Sequence, residues 1–122
     1  YMAVYNPLGL CKFIAKGTVE PQHVANLVNS ALGWDWDTGD VLQAGERLVN
    51  LKRLINLRLG ITAADDTLPQ RFLNEPRPSG GAEGVLPDLD MILEDYYSAR
   101  KWTADGVPTP ERLSELGLDI SA

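Results

Sequence analysis

Cys11 is the only cysteine of the chain, and it stands in an apolar turn near the start, Asn6-Pro7-Leu8-Gly9-Leu10-Cys11-Lys12-Phe13. A thiolate there could attack a substrate or ligate a metal; a neutral thiol could simply pack as a small hydrophobe. A nucleophile wants a base beside it. The only histidine, His23, falls in the first turn of a predicted helix and reads as a solvated residue, so a Cys–His pair is weakly supported. As a metal ligand Cys11 is incomplete by itself. Tetrahedral zinc takes four ligands and an iron–sulfur cluster about four thiolates, so this thiol could only complete a centre whose other ligands lie elsewhere. Gly9 suits a backbone that approaches a ligand closely, and equally an ordinary turn after Pro7. Asp65-Asp66 could do acid–base work, but after Thr62 they read better as caps of a short helical turn before Pro69. Arg53, Arg58, Arg71 and Arg77 could bind an anion. Their structural reading is a tie between loop and helix through carboxylates such as Asp66 or Glu75.

The elements that must position these groups are helical. Residues 21–32 open on Pro21 and carry Val24, Leu27, Val28, Ala31 and Leu32 at helical spacing, with Gly33 placed to end the helix. Trp34 and Trp36 follow in a loop and are expected to dock on the bundle. Residues 38–59 form the longest helix, with Thr38 as N-cap and Gly60 as stop. Val41, Ala44, Leu48, Leu51 and Ile55 mark its buried stripe, and polar residues recur among the leucines of 50–58. Residues 60–87 read as a long Pro/Gly-rich connector, a kind of loop that is functional or packed on something larger. Residues 88–102 make a third helix burying Leu89, Ile92, Leu93, Tyr96 and Ala99, with early acids and late bases that suit its dipole. Thr109-Pro110 opens a short final helix that ends at Gly117. No segment alternates as a strand. The expected fold is an all-α irregular helical bundle, one domain over residues 1–122.

Composition excludes several classes. A net charge of −6 argues against nucleic acid and anionic membrane as partners. A single cysteine cannot form an internal disulfide, and no apolar run approaches the roughly 20 residues needed to span a bilayer. The expected setting is cytoplasmic. Eleven of the first fifteen residues are apolar or aromatic, an opening that needs cover and reads as the continuation of a longer polypeptide.

Several blocks together resemble the carboxy-terminal part of the aldehyde ferredoxin oxidoreductases, tungsten-pterin enzymes. They are the Asn6–Phe13 turn, Gly45-Glu46-Arg47 through Asn56-Leu57-Arg58-Leu59-Gly60, and Asp65-Asp66-Thr67-Leu68-Pro69-Gln70-Arg71-Phe72. Leu89-Asp90-Met91-Ile92-Leu93-Glu94-Asp95-Tyr96-Tyr97 and Gly106-Val107-Pro108-Thr109-Pro110-Glu111 continue the likeness in family order. The family's D-x-x-G-L-C-x motif implies pterin contacts for Asn6, Leu10 and Lys12, and Cys11 as one ligand of a four-iron four-sulfur cluster. Asn6 stands where the motif has aspartate; an amide hydrogen-bonds but carries no charge. The resemblance further implies a tungsten or molybdenum pterin cofactor, an aldehyde substrate, ferredoxin as electron acceptor, and upstream domains of the same polypeptide as partners. The chain alone is expected to be inactive and to hold no stable cluster. The rival expectation is a self-standing helical interaction module without catalysis.

Overall fold

The computed structural model describes residues 1–17 and 19–118, with the side chains of Lys12, Ala15 and Lys16 outside the description. It is all-α: helices α1 (Met2–Tyr5), α2 (Pro21–Leu32), α3 (Thr38–Arg58), α4 (Gln70–Asn74), α5 (Leu89–Arg100) and α6 (Pro110–Glu115), with 3₁₀ segments at Lys12–Gly17 and Ala63–Asp65. No strand occurs among the described residues, only isolated bridges pairing Arg77 with Glu83 and Trp102 with Pro108. Contacts gather in two compact units, Tyr1–Arg53 with Leu113–Ala122, and Leu54–Arg112.

The first unit is built around Val4, Tyr5, Val24, Ala25 and Val41, with Tyr1, Leu10, Val19 and Trp36 packed against them. Helix α2 begins at Pro21, where the missing N–H would have had no partner anyway. Its first turn is closed by the Glu20 N–H, which donates to His23 Nδ1 at 3.0 Å. Its end comes at Gly33, left-handed at φ 70°, as expected. The buried face is narrower than the expected stripe. Val24, Ala25 and Val28 are buried, while Leu27, Ala31 and Leu32 face outward. Beyond Gly33 the Asn29 side chain holds the Trp36 backbone like a strand partner. Asn29 Nδ2 donates to the Trp36 carbonyl and the Trp36 N–H donates to Asn29 Oδ1, both at 2.8 Å. Trp36 thereby docks on the core, but Trp34 stays 49% exposed and only leans on Trp36.

Helix α3 is capped one residue earlier than expected. The Asp40 N–H donates to Asp37 Oδ1 at 3.0 Å, and the Asp37 N–H donates to Asp40 Oδ2 at 2.9 Å, a reciprocal box. Thr38 is the first helical residue, and its hydroxyl donates to Gln22 Oε1 instead. The expected stripe is also corrected: the buried residues of α3 are Val41, Gly45, Asn50 and Arg53, whereas Leu51 and Ile55 are exposed. Val41 and Asn50 are nine residues apart, about half a turn around a helix of 3.6 residues per turn. Burial therefore moves round the cylinder along its length, which no single stripe can describe. Asn50 is tolerated inside because its amide donates to the Glu46 carbonyl at 2.9 Å. Past α6, the Arg47 guanidinium donates to the Leu116 carbonyl and ties that segment to α3.

The second unit holds the expected connector, which contains its own short helices. Thr62 and Asp65 cap the Ala63–Asp65 turn, with the Thr62 N–H donating to Asp65 Oδ2 at 2.8 Å. Asp66 accepts the Tyr97 hydroxyl and so pins this turn to α5. Arg71 of α4 pairs with Glu75, the residue that caps its C-terminus, at 3.7 Å; both are exposed and contribute little to stability. In α5, Asp88 caps through the Met91 N–H and Lys101 ends the helix in the left-handed region at φ 56°. Tyr97 is the buried residue of α5, with Leu89 and Leu93 half-buried; Ile92, Tyr96 and Ala99, expected inside, are exposed. Thr109 caps α6 by accepting the Arg112 N–H at 3.2 Å.

Candidate functional site

The cysteine loop leaves α1 at its buried end. Val4 and Tyr5 are 5% and 0% exposed, so the residue before the loop is fixed by the core. Asn6 begins a turn in which its carbonyl accepts the Gly9 N–H at 3.1 Å, and the Leu10 N–H then donates back to the Tyr5 carbonyl at 2.9 Å. Gly9 takes φ 67° to make that reversal, a conformation that favours glycine. A Cβ built there would meet nothing within 4 Å, so the space beside Gly9 is open. Leu10 is half-buried and packs on the core. Cys11 is exposed, and its carbonyl accepts the Ile14 N–H at 3.0 Å to start the 3₁₀ segment.

The loop thus brings Asn6, Leu10 and Cys11 together within six residues of chain. Asn6 and Cys11 face outward, while Leu10 anchors the loop from beneath. The Lys12 side chain lies outside the described residues. Within three residues of Cys11 in the chain, Leu8, Phe13 and Ile14 are 43%, 61% and 43% exposed. A soft thiolate on an exposed, glycine-relieved turn with an apolar surround suits one attachment of an iron–sulfur centre. Among the described residues no group of three or more His, Cys, Asp or Glu gathers to hold a metal, so the donor set here amounts to one sulfur.

The other candidates take structural places. His23 is an exposed capping acceptor, Asp65 caps its turn, and Asp66 receives Tyr97. Arg53 is buried in α3. Tyr1, at the N-cap of α1, and Tyr5, four residues on, place both hydroxyls on the Val19 carbonyl, an arrangement absent from the sequence analysis. The i, i+4 spacing of two tyrosines was the available signal.

As a class, this is an all-α scaffold that fixes one end of a loop in its core and leaves a thiol exposed on that loop. The family model for aldehyde ferredoxin oxidoreductase, domains 2 & 3, matches residues 1–118. The chain belongs to that family. It is 45% identical over 117 residues to the tungsten-containing aldehyde ferredoxin oxidoreductase of Pyrococcus furiosus, covering 95% of this chain and 19% of that protein. Against the protein of the same description from Pyrococcus horikoshii the identity is 44%, covering 96% and 19%. An aliphatic sulfonate oxidoreductase, WOR-like subunit, of Pyrococcus furiosus is 30% identical, covering 95% of this chain and 20% of that one. Among solved structures, the active-site complex BamBC of benzoyl coenzyme A reductase, in complex with 1,5 dienoyl-CoA, superposes with TM-score 0.65. It shares 27% identity over 82% of this chain and 14% of that chain. The chain spans about a fifth of the length of the curated relatives it matches.

Proposed function

We propose that these residues form the C-terminal helical part of a tungsten-pterin oxidoreductase that oxidises an aldehyde and passes electrons to ferredoxin. The balance is one aldehyde and one water giving a carboxylate, three protons and two electrons. The tungsten-pterin group, when bound, supplies the two-electron oxidation, and a four-iron four-sulfur cluster carries the electrons onward. In this reading the Cys11 thiolate is one of the cluster ligands. The Asn6 amide donates and accepts hydrogen bonds toward the pterin, with Leu10 and Lys12 as the further contacts. Phe13 and Ile14 exclude water beside the sulfur, which tunes a cluster through burial. Upstream domains of the same polypeptide would supply the remaining ligands and cover the apolar rim. A free thiol kept for a metal centre suits a reducing compartment, so the setting we propose is cytoplasmic.

The observation that carries this reading is the exposed Cys11 on a core-anchored turn, joined to 45% identity with a tungsten-containing relative. Cys11→Ser in the intact enzyme should lower iron content and abolish cluster-dependent ferredoxin reduction, with helical content kept by circular dichroism. Normal ferredoxin reduction by that variant overturns the ligand assignment. The likenesses to a sulfonate oxidoreductase and a coenzyme A ester reductase, with Asn6 in the acidic position of the motif, support a second reading: the same scaffold acting on another substrate class. A panel of aldehydes, sulfonates and aromatic thioesters assayed with one enzyme preparation separates the two.

A further inference from the structure

The cysteine loop is closed at its neck by a pair of phenols. Tyr1 and Tyr5 lie about one turn apart, and both hydroxyls reach the Val19 carbonyl, at 2.8 Å and 3.1 Å. The two hydroxyls also contact each other. A carbonyl oxygen has two lone pairs and can accept both. The rings pack edge to face, 4.9 Å apart at 78°, and Tyr5 is wholly buried. Tyr5 also receives the Leu10 N–H on its carbonyl, so it holds the loop from its far end and from within. Beneath them α3 carries Gly45. A Cβ there would come within 3.2 Å of Val4 Cγ2 and 3.5 Å of the Tyr1 nitrogen, so this glycine lets α1 sit close against α3.

Filling the core would require only rings. Phenylalanine would do that without bringing buried hydroxyls that must then be satisfied. What the hydroxyls add is direction, because they fix where the chain returns after passing Cys11. We infer that Tyr1 and Tyr5 are positioning residues, a redundant hydroxyl pair that sets the neck of the loop and thereby the placement of the Cys11 sulfur. The inference rests on the reading of Cys11 as a cluster ligand.

The test uses the intact holoenzyme with Tyr1→Phe, Tyr5→Phe, the double variant and Cys11→Ser. Either hydroxyl alone can still hold the carbonyl, so each single variant should keep the cluster's electron paramagnetic resonance spectrum and midpoint potential near wild type. The double variant should broaden the spectrum and raise the potential, since a loosened loop admits water and water favours the more highly charged reduced cluster. Effects of the pair should be strongly non-additive. A double variant that melts earlier but keeps the wild-type spectrum and potential has lost packing alone, and overturns the positioning role. Cys11→Ser separates the two claims. If it retains a full cluster, the ligand reading fails first; if it loses the cluster while the double Phe variant behaves as wild type, only the neck inference falls. Should the double variant not fold, Gly45→Ala serves as the packing counterpart, because its added methyl presses on Val4 Cγ2 with both hydroxyls left in place. Its spectrum and potential should stay near wild type, and a shifted potential would assign the placement of the loop to the packing of α1 and overturn the inference.

Discussion

Tyr1 shows how a single residue can couple this neck to solution conditions. Desolvation, first, and then the hydrogen bond and the charge of Tyr5, with a smaller push from Glu20, raise its phenol well above the ordinary value near 10. The folded state therefore holds the proton more tightly than the unfolded chain. That stability is fully present below about pH 10 and is lost as pH rises from there toward the raised folded value. Melting temperature should fall above about pH 10, and more gently in Tyr1→Phe, which has no such proton to lose. Equal slopes for the two proteins would show that Tyr1 titrates as a free phenol. Asn29 offers a second single-residue test, because its amide both donates to and accepts from Trp36. Asn29→Leu removes both bonds at once and should cost about 1–3 kcal/mol by denaturant unfolding, the usual penalty for polar groups left without partners. A loss within error would mean that water replaces the amide without penalty.

At the scale of elements, boundaries were legible in the sequence and buried faces were not. Pro21, Gly33, Gly60, Asp88 and Thr109 act on their own turns, and a local signal can be read locally. The differences are small: Asp37 supplies the cap of α3 and Thr38 is its first helical residue, while α5 stops at Arg100 and α6 at Glu115, each two residues before the expected end. Faces depend on neighbours. Helix α3 changes its buried side about half a turn between Val41 and Asn50, so a single apolar stripe placed Ile55 inside and left Asn50 and Arg53 outside. The candidate site divides the same way. The turn around Gly9 and Cys11 could be read from its own residues, whereas the phenol pair depends on Val19, a carbonyl from a segment whose return no spacing rule specifies. Core energetics follow the corrected faces. Val41→Ala removes two fully buried methyl groups at about 0.8 kcal/mol each, plus a cavity term, and should cost about 2 kcal/mol. Ile55→Ala, at a position 48% exposed, should cost less than about half of that. Equal losses at the two sites would return Ile55 to the core.

For the molecule as a whole, what matters is how unevenly burial is shared between its two units. The first unit encloses Tyr5, Val24, Ala25 and Val41 completely. In the second, the buried residues are Tyr97, Gly106 and Pro108, while Leu59, Phe72, Val85 and Met91 are between 55% and 72% exposed. Stability is set by the apolar area removed from water set against chain entropy, and a small unit with so little interior is marginal. Its helices are nonetheless well capped, and Tyr97 and Trp102 stack at 5.9 Å, so its local structure is specified while its enclosure is not. Such a unit leaves apolar side chains open to water, and the chain spans about a fifth of its relatives' length. Native-state hydrogen exchange on the 122-residue chain puts this to measurement. Amides of α2 and the first half of α3 should open only with global unfolding, whereas those of α5 should exchange at least tenfold faster, through local opening worth less free energy. Under the function proposed above, adding the upstream domains that it invokes should then slow α5 selectively. If α5 and α2 exchange together in the chain by itself, the second unit has all the support it requires from its own residues, and its exposed leucine, phenylalanine, valine and methionine are ordinary surface.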